Sequence, residues 1–275
     1  MSDANTQAPA FELIWDENAE SPAIEEAFRE ILSQTDLSTD LRAEALTQLA
    51  RSQGLQGQFE AAKITLKKAL ETSQETVPHL RYQLEMGRVL RSSGQLPESA
   101  LYFRKAYEDA IRGGAAMDYF AADAAHMMAI LYPKAGLCGE KTWSQTALEI
   151  ARKSDNVRTQ GWAAIILNNS AWDVFDERKY EQALEMFSEA TAIRKQALGS
   201  RETVKSKRAY RIARWSEGFT LRHMENNEEA YKIQRQLLEE SDTKPNREEL
   251  AILCDKLGLL EEAKEHRSIL ETKFK

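Results

Sequence analysis

Residues 87–106 read GRVLRSSGQLPESALYFRKA, and the order of small and bulky residues in this stretch predicts the fold. A small residue is followed seven positions later by a turn residue, and bulky and small residues then alternate at helical spacing. These positions hold Gly87, Gly94, Leu96, Ser99, Phe103 and Ala106. Two antiparallel helices pack closely only where small side chains admit the bulky side chains of the neighbour. The stretch therefore predicts two helices joined by a tight turn, which glycine accommodates best.

The same pattern recurs along the chain and predicts a repeat architecture. Further copies begin at Ala50, Ala129, Ala171, Gly218 and Ala251, so that successive copies start 33 to 47 residues apart. The third copy gains three residues after its turn, and the last two copies match the pattern more weakly. Because each helix pair leaves an apolar face uncovered, the pairs must stack on one another to bury it.

Composition agrees with a helical protein and excludes several classes. The chain has 275 residues, of which 12 are Gly and 6 are Pro, too few for the many turns of an all-β fold. Its net charge of −7 argues against binding to duplex nucleic acid, which needs a basic surface. No apolar run reaches the ~18 residues of a membrane span. The N-terminus has neither the basic start nor the apolar core of a signal peptide, so we expect a cytoplasmic protein.

The repeat pattern resembles the tetratricopeptide repeat family over residues 40–275. The fourth copy, residues 167–199, reads LNNSAWDVFDERKYEQALEMFSEATAIRKQALG and is similar to the longer repeat of kinesin light chains. It shares with that branch the Leu-Asn-Asn start, the Lys-Tyr-Glu-Gln-Ala turn and the Ala-Ile-Arg-Lys-Gln ending. The resemblance implies an all-α fold, a right-handed α–α superhelix or solenoid of about six helix pairs.

Three segments are expected from this organisation. Residues 1–20 form an acidic arm, residues 21–38 an N-terminal capping helix, and residues 39–275 the repeat domain. In the capping segment Ser21 and Pro22 are suited to a helix start, and apolar residues follow at helical spacing. Such a helix would cover the end of the first repeat, as the ends of solenoids require.

The sequence lacks a recognisable catalytic or metal-binding motif. The four histidines are scattered, with no His-Glu-x-x-His motif and no pair of metal ligands at helical spacing. Cys138 and Cys254 lie far apart and indicate neither a disulfide framework nor a zinc site. We therefore expect a protein that is not an enzyme and that holds no cofactor and no metal.

The family resemblance places candidate binding residues on the first helix of each pair, which lines the concave wall in tetratricopeptide proteins. The expected peptide-binding residues are Arg81, Arg88, Met127, Ile130, Asn168, Asn169, Trp172, Phe175, Trp215, Phe219 and Arg222. Trp172 and Phe175 are one helical turn apart, as are Trp215 and Phe219, and aromatic side chains are frequent anchors in interfaces. The alternative is that they fill space between adjacent repeats. In the related family an Asn such as Asn169 bonds the backbone of an extended peptide, whereas the alternative is an Asn that bonds a neighbouring turn.

Charge is unevenly distributed in the second half of the repeats. Between Arg194 and Arg222 the chain has nine Lys and Arg residues and only two Glu residues, a local charge of +7. Part of this charge follows one helical face, made of Arg201, Lys205, Arg208, Ile212 and Trp215. The stripe leads toward the predicted aromatic anchors, which favours a site for an acidic ligand. The alternative is a solvated helix surface.

The arm carries the opposite charge and resembles a ligand. Residues 1–26 contain seven acidic residues and no basic residue. The segment Glu12–Glu17, ELIWDE, resembles the tryptophan-acidic peptides that kinesin light chain repeats bind. A self-ligand that competes with an external partner is therefore predicted from Leu13, Trp15, Asp16 and Glu17. The alternative is that the apolar residues of this segment pack on the capping helix near Phe28.

The primary functional hypothesis is an adaptor that binds an extended, acidic peptide segment of a protein partner in its concave groove. One alternative is a structural subunit that joins an assembly through its convex face or its ends. Another is a receptor for a small molecule or a signalling peptide. An RNA-binding repeat protein would need a basic groove along most repeats, so nucleic acid is not expected as a partner. A membrane is not expected either, because the sequence has no apolar run of sufficient length. The sequence leaves the identity of the partner and the oligomeric state open.

Overall fold

The computed structural model describes residue 11 and residues 21–134, 140–200 and 202–274. In these residues it contains thirteen α-helices, one short 3₁₀ helix (Ala115–Met117) and no β-strand. The α-helices are α1 Ser21–Ser33, α2 Thr39–Leu55, α3 Phe59–Thr72, α4 Thr76–Ser92, α5 Leu96–Arg112, α6 Asp118–Lys134, α7 Glu140–Lys153, α8 Val157–Asp176, α9 Tyr180–Ser200, α10 Val204–His223, α11 Asn227–Glu240, α12 Lys244–Leu257 and α13 Leu260–Lys273. None of these helices combines the length and the apolar character that a membrane crossing requires. The architecture confirms the predicted all-α repeat fold.

The turns inside the helix pairs share one backbone conformation. Gly57, Gly94 and Gly258 have φ values of 76°, 84° and 75°. Arg178 and Glu225 occupy the equivalent positions of other pairs with φ values of 62° and 60°. A left-handed conformation costs a residue with a Cβ atom about 1–2 kcal/mol. The packing of the helix pairs must therefore offset this cost at Arg178 and Glu225. The structure therefore confirms five of the predicted turn positions, two of them without glycine. The remaining one, Gly136 of the third copy, lies outside the described residues.

The helices form two compact units, Met1–Trp162 and Ala163–Lys275. In the first unit, α1 covers the first helix pair. Ile24 and Phe28 are buried with Leu41 of α2 in one apolar cluster. The ring of Phe11 packs edge-on against Phe28, with centroids 5.6 Å apart. The first pair thus gains from α1 the apolar neighbour that later pairs gain from one another.

The largest core of the first unit lies among α4, α5 and α6. Phe103 of α5 is fully buried over Gly87 of α4, where a Cβ atom would lie 2.6 Å from the ring. Leu84 and Met128 are fully buried in the same core. The small residue of the repeat pattern is therefore the point at which the bulky residue of the next helix enters.

A ladder of ion pairs connects the first helices of the first three pairs, α2, α4 and α6. Its members are Glu44, Arg51, Arg81, Glu85, Arg88 and Asp123. Arg88 lies at its centre, because the guanidinium contacts Asp123 at 2.5 Å and Glu85 at 2.7 Å. Burial alone would lower the pKa of Arg88, but the carboxylates of Asp123 and Glu85 raise it. The ladder therefore stays charged in the interior, where each member depends on its partner.

His126 lies beside the ladder, and its burial controls its protonation. The ring is buried next to Trp162, with centroids 5.4 Å apart. Burial lowers the pKa of His126 from 6.5 to about 4; Asp123 opposes this shift, while Arg88 and Arg91 add to it. In the unfolded chain the imidazole takes up a proton below pH 6.5, whereas in the folded protein it stays neutral down to about pH 4. The unfolded state therefore binds more protons between these values, and stability falls as the pH drops through them.

We expect the free energy of unfolding to fall by about 2 kcal/mol between pH 7 and pH 5 through His126. Urea unfolding followed by far-UV circular dichroism at several pH values measures this loss. His126→Gln should remove this part of the pH dependence, because an amide does not titrate in this range. Leu101→Ala is the control, because it changes an exposed side chain without adding or removing a titratable group, and it should leave the slope unchanged. An unaltered slope in His126→Gln would assign the loss to another group.

In the second unit, polar side chains stand where the weaker repeat copies lack the expected bulky residue. Gln234 of α11 is fully buried against Gly218 of α10, and its amide Nε2 donates to the carbonyl oxygen of Trp215 at 3.3 Å. Arg267 of α13 pairs with Asp255 of α12. The weaker copies therefore keep the helix-pair geometry with a hydrogen bond and an ion pair in place of apolar contacts.

Candidate functional site

Two stripes of side chains run along the first helices of the second unit. The α8 stripe consists of Ile165, Asn169, Trp172 and Asp176, and the α10 stripe consists of Arg208, Ile212, Trp215 and Phe219. Both have the spacing of four, three and four residues that keeps side chains on one face of a helix. All eight side chains are exposed or half-exposed, and Ile165 and Ile212 are 38% and 46% exposed. Large apolar side chains left exposed on such stripes indicate an interaction surface.

The aromatic members of the two stripes meet. Trp172 lies 6.3 Å from Trp215 and 5.6 Å from Phe219, measured between ring centroids. Phe175 lies 5.5 Å from Phe219 and 4.9 Å from the ring of His223. We call the group Trp172, Phe175, Tyr180, Trp215, Phe219 and His223 the aromatic cluster. Higher-numbered residues of α8 contact higher-numbered residues of α10, so the two helices run in the same direction through the cluster.

The aromatic cluster is anchored in the core and open at its surface. Trp172 contacts the fully buried Phe187 of α9 at 5.0 Å between centroids, which fixes the indole from behind. The Nδ1 atom of His223 donates to the carbonyl oxygen of Phe219 at 2.9 Å, because a carbonyl only accepts. The six rings remain half-exposed. Rigid aromatic side chains held in this way offer contact area at little cost in side-chain entropy.

Two polar side-chain atoms, one on α8 and one on α10, have unmet hydrogen-bonding capacity. The indole Nε1 of Trp215 and the amide Oδ1 of Asn168 are shielded from solvent and have no hydrogen-bond partner among the described residues. Leaving such a group unpaired costs about 1–3 kcal/mol. One is a donor and the other an acceptor, and both are closed to the solvent in this structure. The neighbouring Asn169 is exposed on the α8 stripe.

The α10 helix gives this surface a positive potential. It contains six Lys or Arg residues and one Glu, a formal charge of +5. Arg222 is engaged by Glu249, with its Nε 2.6 Å from a carboxylate oxygen. Arg208 and Arg211 have no ion pair with any residue that the structure describes. The positive charge of Arg208 and Arg211 therefore stays uncompensated by the described residues, and it lies in the N-terminal half of α10.

Three of the four predicted binding residues of the first unit lie in the ion-pair ladder or in the apolar core. Arg81 is 4% exposed and contacts Glu44 at 3.3 Å in the ladder, and Met127 is 5% exposed in the apolar core. Burial alone would lower the pKa of Arg81, but Glu44 raises it and keeps the guanidinium charged. Arg88 is the centre of the ladder, and Ile130 is half-buried. We therefore leave Arg81, Arg88 and Met127 out of the candidate surface.

The predicted self-ligand falls outside the described residues. Its members are Leu13, Trp15, Asp16 and Glu17. Phe11, just before it, contacts the capping helix at Phe28. The competition of this segment with an external ligand stays a prediction.

Three side chains that are not predicted to be neighbours lie close together in the structure. The ligand atoms of Cys254, Glu262 and His266 all lie within 4.8 Å of one another. Glu262 and His266 are spaced i and i+4 on α13, so the expectation that the sequence has no ligand pair at helical spacing was wrong. The spacing of Glu262 and His266 was visible in the sequence. It could not predict which face of α13 packs against Cys254.

The hydrogen bonds and burial of this trio describe its arrangement without a bound ligand. Arg247, which can only donate, lies 2.9 Å from Nδ1 of His266 and thereby places the proton of the neutral ring on Nε2. A metal would need the lone pair of that nitrogen. Burial raises the pKa of the Cys254 thiol to about 11, so the thiol is protonated near neutral pH when no metal is bound to it. The trio acts as a packing contact between α12 and α13.

Comparisons with known proteins agree with the helix pairs described above. The family model of the tetratricopeptide repeat matches residues 43–76, which include most of α2 and all of α3. A search of curated proteins gave no match. A signal transduction ATPase with numerous domains and a tetratricopeptide repeat sensor, from Pyrococcus horikoshii, has a TM-score of 0.64 and 15% identity. The match covers 91% of this chain and 40% of the ATPase, so the chain spans less than half of that protein.

Two further solved structures share the fold. The apo form of RapI has a TM-score of 0.62 and 14% identity, over 95% of this chain and 72% of RapI. NprR in complex with its cognate peptide NprX has a TM-score of 0.51 and 16% identity, over 97% of this chain and 76% of NprR. At these identities the similarity shows the fold alone, and the likeness of residues 167–199 to kinesin light chains stays a prediction. The chain therefore has the helical-repeat fold of the tetratricopeptide type, with a recognisable tetratricopeptide repeat at its first helix pair.

Proposed function

We infer that the chain is a non-catalytic interaction protein whose second unit binds an extended, acidic peptide segment of a partner protein. The observation that supports this most is the aromatic cluster. Its rings are fixed from the core side, half-exposed on the other side, and continued by exposed apolar residues along both stripes. Such anchors supply most of the binding energy in protein interfaces.

The preference for acidic segments is supported by charge. The formal charge of α10 is +5, and Arg208 lies on the same face as the aromatic members of the α10 stripe. A carboxylate near that face would gain a charge-assisted hydrogen bond to a guanidinium.

The relatives in fold support a role in recognition. NprR is described in complex with its cognate peptide, and the ATPase carries its tetratricopeptide repeats as a sensor. These descriptions belong to those proteins, and they make peptide recognition a reasonable use of the fold here. The partner of this chain is therefore proposed to be a protein or a peptide.

The test is binding of the full chain to defined probes. A fluorescein-labelled 12-residue peptide rich in Glu, with a single central Trp, is titrated by fluorescence polarisation at moderate salt. We expect Trp172→Ala and Phe219→Ala each to weaken binding about 10- to 30-fold, because each removes a central anchor worth ~2 kcal/mol. Trp143→Ala removes an indole of the first unit and is the matched control, which should retain affinity.

Two further probes separate the alternatives. The same peptide with Lys in place of Glu should bind weakly, and a 12-nucleotide oligouridine should not bind at ~150 mM salt. Tighter binding of the oligonucleotide than of the acidic peptide would replace a protein partner with single-stranded RNA. Equal affinity of the wild type and Trp172→Ala would remove the aromatic cluster from the site and favour assembly through other faces.

A further inference from the structure

The two stripes of the second unit carry opposite charges at their opposite ends. The α10 stripe begins at Arg208, and the α8 stripe ends at Asp176. Because α8 and α10 run in the same direction through the aromatic cluster, these two residues lie on opposite sides of it. Along the helix axes, Arg208 precedes Trp215 by seven residues, about 10 Å, and Asp176 follows Trp172 by four residues, about 6 Å.

Neither charge is neutralised by the described residues. Both side chains are exposed, and neither forms an ion pair in the part of the chain that the structure describes. Arg208 lies near the N-terminus of α10, whereas Asp176 is the last residue of α8. The helix macrodipole is positive at the N-terminus and negative at the C-terminus, so the backbone reinforces both potentials. The α10 stripe is therefore positive at its N-terminal end, and the α8 stripe is negative at its C-terminal end.

A ligand that crosses this surface along the helices meets three environments in order. It meets Arg208 with the exposed Ile212, then the aromatic rings, then Asp176 at the helix end. An acidic side chain beside Asp176 would be repelled, and a basic side chain there would be attracted. A uniformly acidic segment therefore matches only half of the surface.

We propose that the ligand is dipolar, with an acidic side chain on one side of an apolar anchor and a basic side chain on the other. This inference rests on the proposed function and adds the charge order of the ligand. An extended chain advances ~3.3 Å per residue. The acidic residue then stands about three positions from the anchor and the basic residue about two positions on its other side.

The experiment compares four labelled peptides that differ only at these two positions around a central Trp. They are dipolar (Glu and Lys), doubly acidic, doubly basic and neutral (Gln at both). With the full-length wild type at low ionic strength, the dipolar peptide should bind about two- to fivefold more tightly than the doubly acidic one, as expected for exposed ion pairs. Asp176→Lys should reverse this order, because it replaces the charge that attracts the ligand's Lys.

The matched control is Glu181→Lys, which makes the same change of charge at an exposed position of α9. It should leave the order of the peptides as in the wild type. Equal affinities for the dipolar and doubly acidic peptides, with no reversal in Asp176→Lys, would overturn the charge order and leave the proposed function standing. Absence of binding by all four peptides, the neutral one included, would contradict both.

Discussion

Asp123→Ala is expected to lower the free energy of unfolding of the first unit by about 3–5 kcal/mol, the usual cost of removing one partner from a buried ion pair. Asp123 is almost fully buried on α6 and accepts two hydrogen bonds from Arg88 of α4, at 2.5 and 2.7 Å. Without the carboxylate, the guanidinium keeps its positive charge in a buried place with only Glu85 to offset it. Urea unfolding followed by far-UV circular dichroism measures the loss.

Two variants control for the ladder prediction. Arg112→Ala breaks the exposed pair with Asp109 on α5 and should change stability by less than about 0.5 kcal/mol, because exposed ion pairs contribute little. The double variant Arg88→Met with Asp123→Leu should recover most of the lost stability, since it removes both charges together. If Asp123→Ala proved as mild as Arg112→Ala, the ladder would not hold these helices together.

Phe103→Ala is expected to destabilise the same unit by about 3–5 kcal/mol through lost burial and the cavity that remains. The ring is fully buried in the largest core and covers Gly87 so closely that the backbone of α4 cannot move in to fill the space without a shift of the whole helix. Leu101→Ala on the same helix is the control, because Leu101 is 67% exposed. Thermal and urea unfolding measure the loss of stability in both variants. Since both place an alanine on α5, the comparison separates a core position from a surface position.

A coupled pair of substitutions tests the packing argument. Gly87→Ala alone should destabilise, because its Cβ atom would lie 2.6 Å from the Phe103 ring. Gly87→Ala should cost less when Phe103 is already Leu, since the smaller side chain leaves room for the methyl group. Additive effects of the two substitutions would show that Gly87 and Phe103 do not pack as described.

The helix pairs and their turns were predictable because the forces that set them are local. A small residue such as Gly87 and a bulky one such as Phe103 lie close in sequence, and their spacing repeats. The left-handed turns could be predicted even at Arg178 and Glu225, because the position in the pattern, and not the residue type, specifies the turn. Trp172 and Trp215 could be named as candidates, since the family resemblance places them on the first helices of their pairs and each has a Phe one turn away, and their part in binding stays a prediction.

The burial of charged residues was not predictable in the same way. Arg81 and Arg88 stand at positions that face inward in a repeat, and the sequence gives no sign of what opposes them. Their partners Glu44 and Asp123 come from neighbouring pairs 37 and 35 residues away. Only the packed helices show that these charges satisfy one another and leave little for a ligand. The Cys254 trio was missed for the same reason, because it joins two helices.

The packing of helices on their neighbours in sequence affects how the chain reaches its fold. Among the described helices, the extensive contacts join elements that are adjacent or one pair apart. Contacts of short sequence separation close small loops and cost little chain entropy, so folding is fast and can start in any pair. During synthesis, each pair can therefore bury its apolar face soon after leaving the ribosome, before the later repeats have been translated. The growing chain then exposes the uncovered apolar face of its most recent pair only, which limits aggregation while the protein is being made.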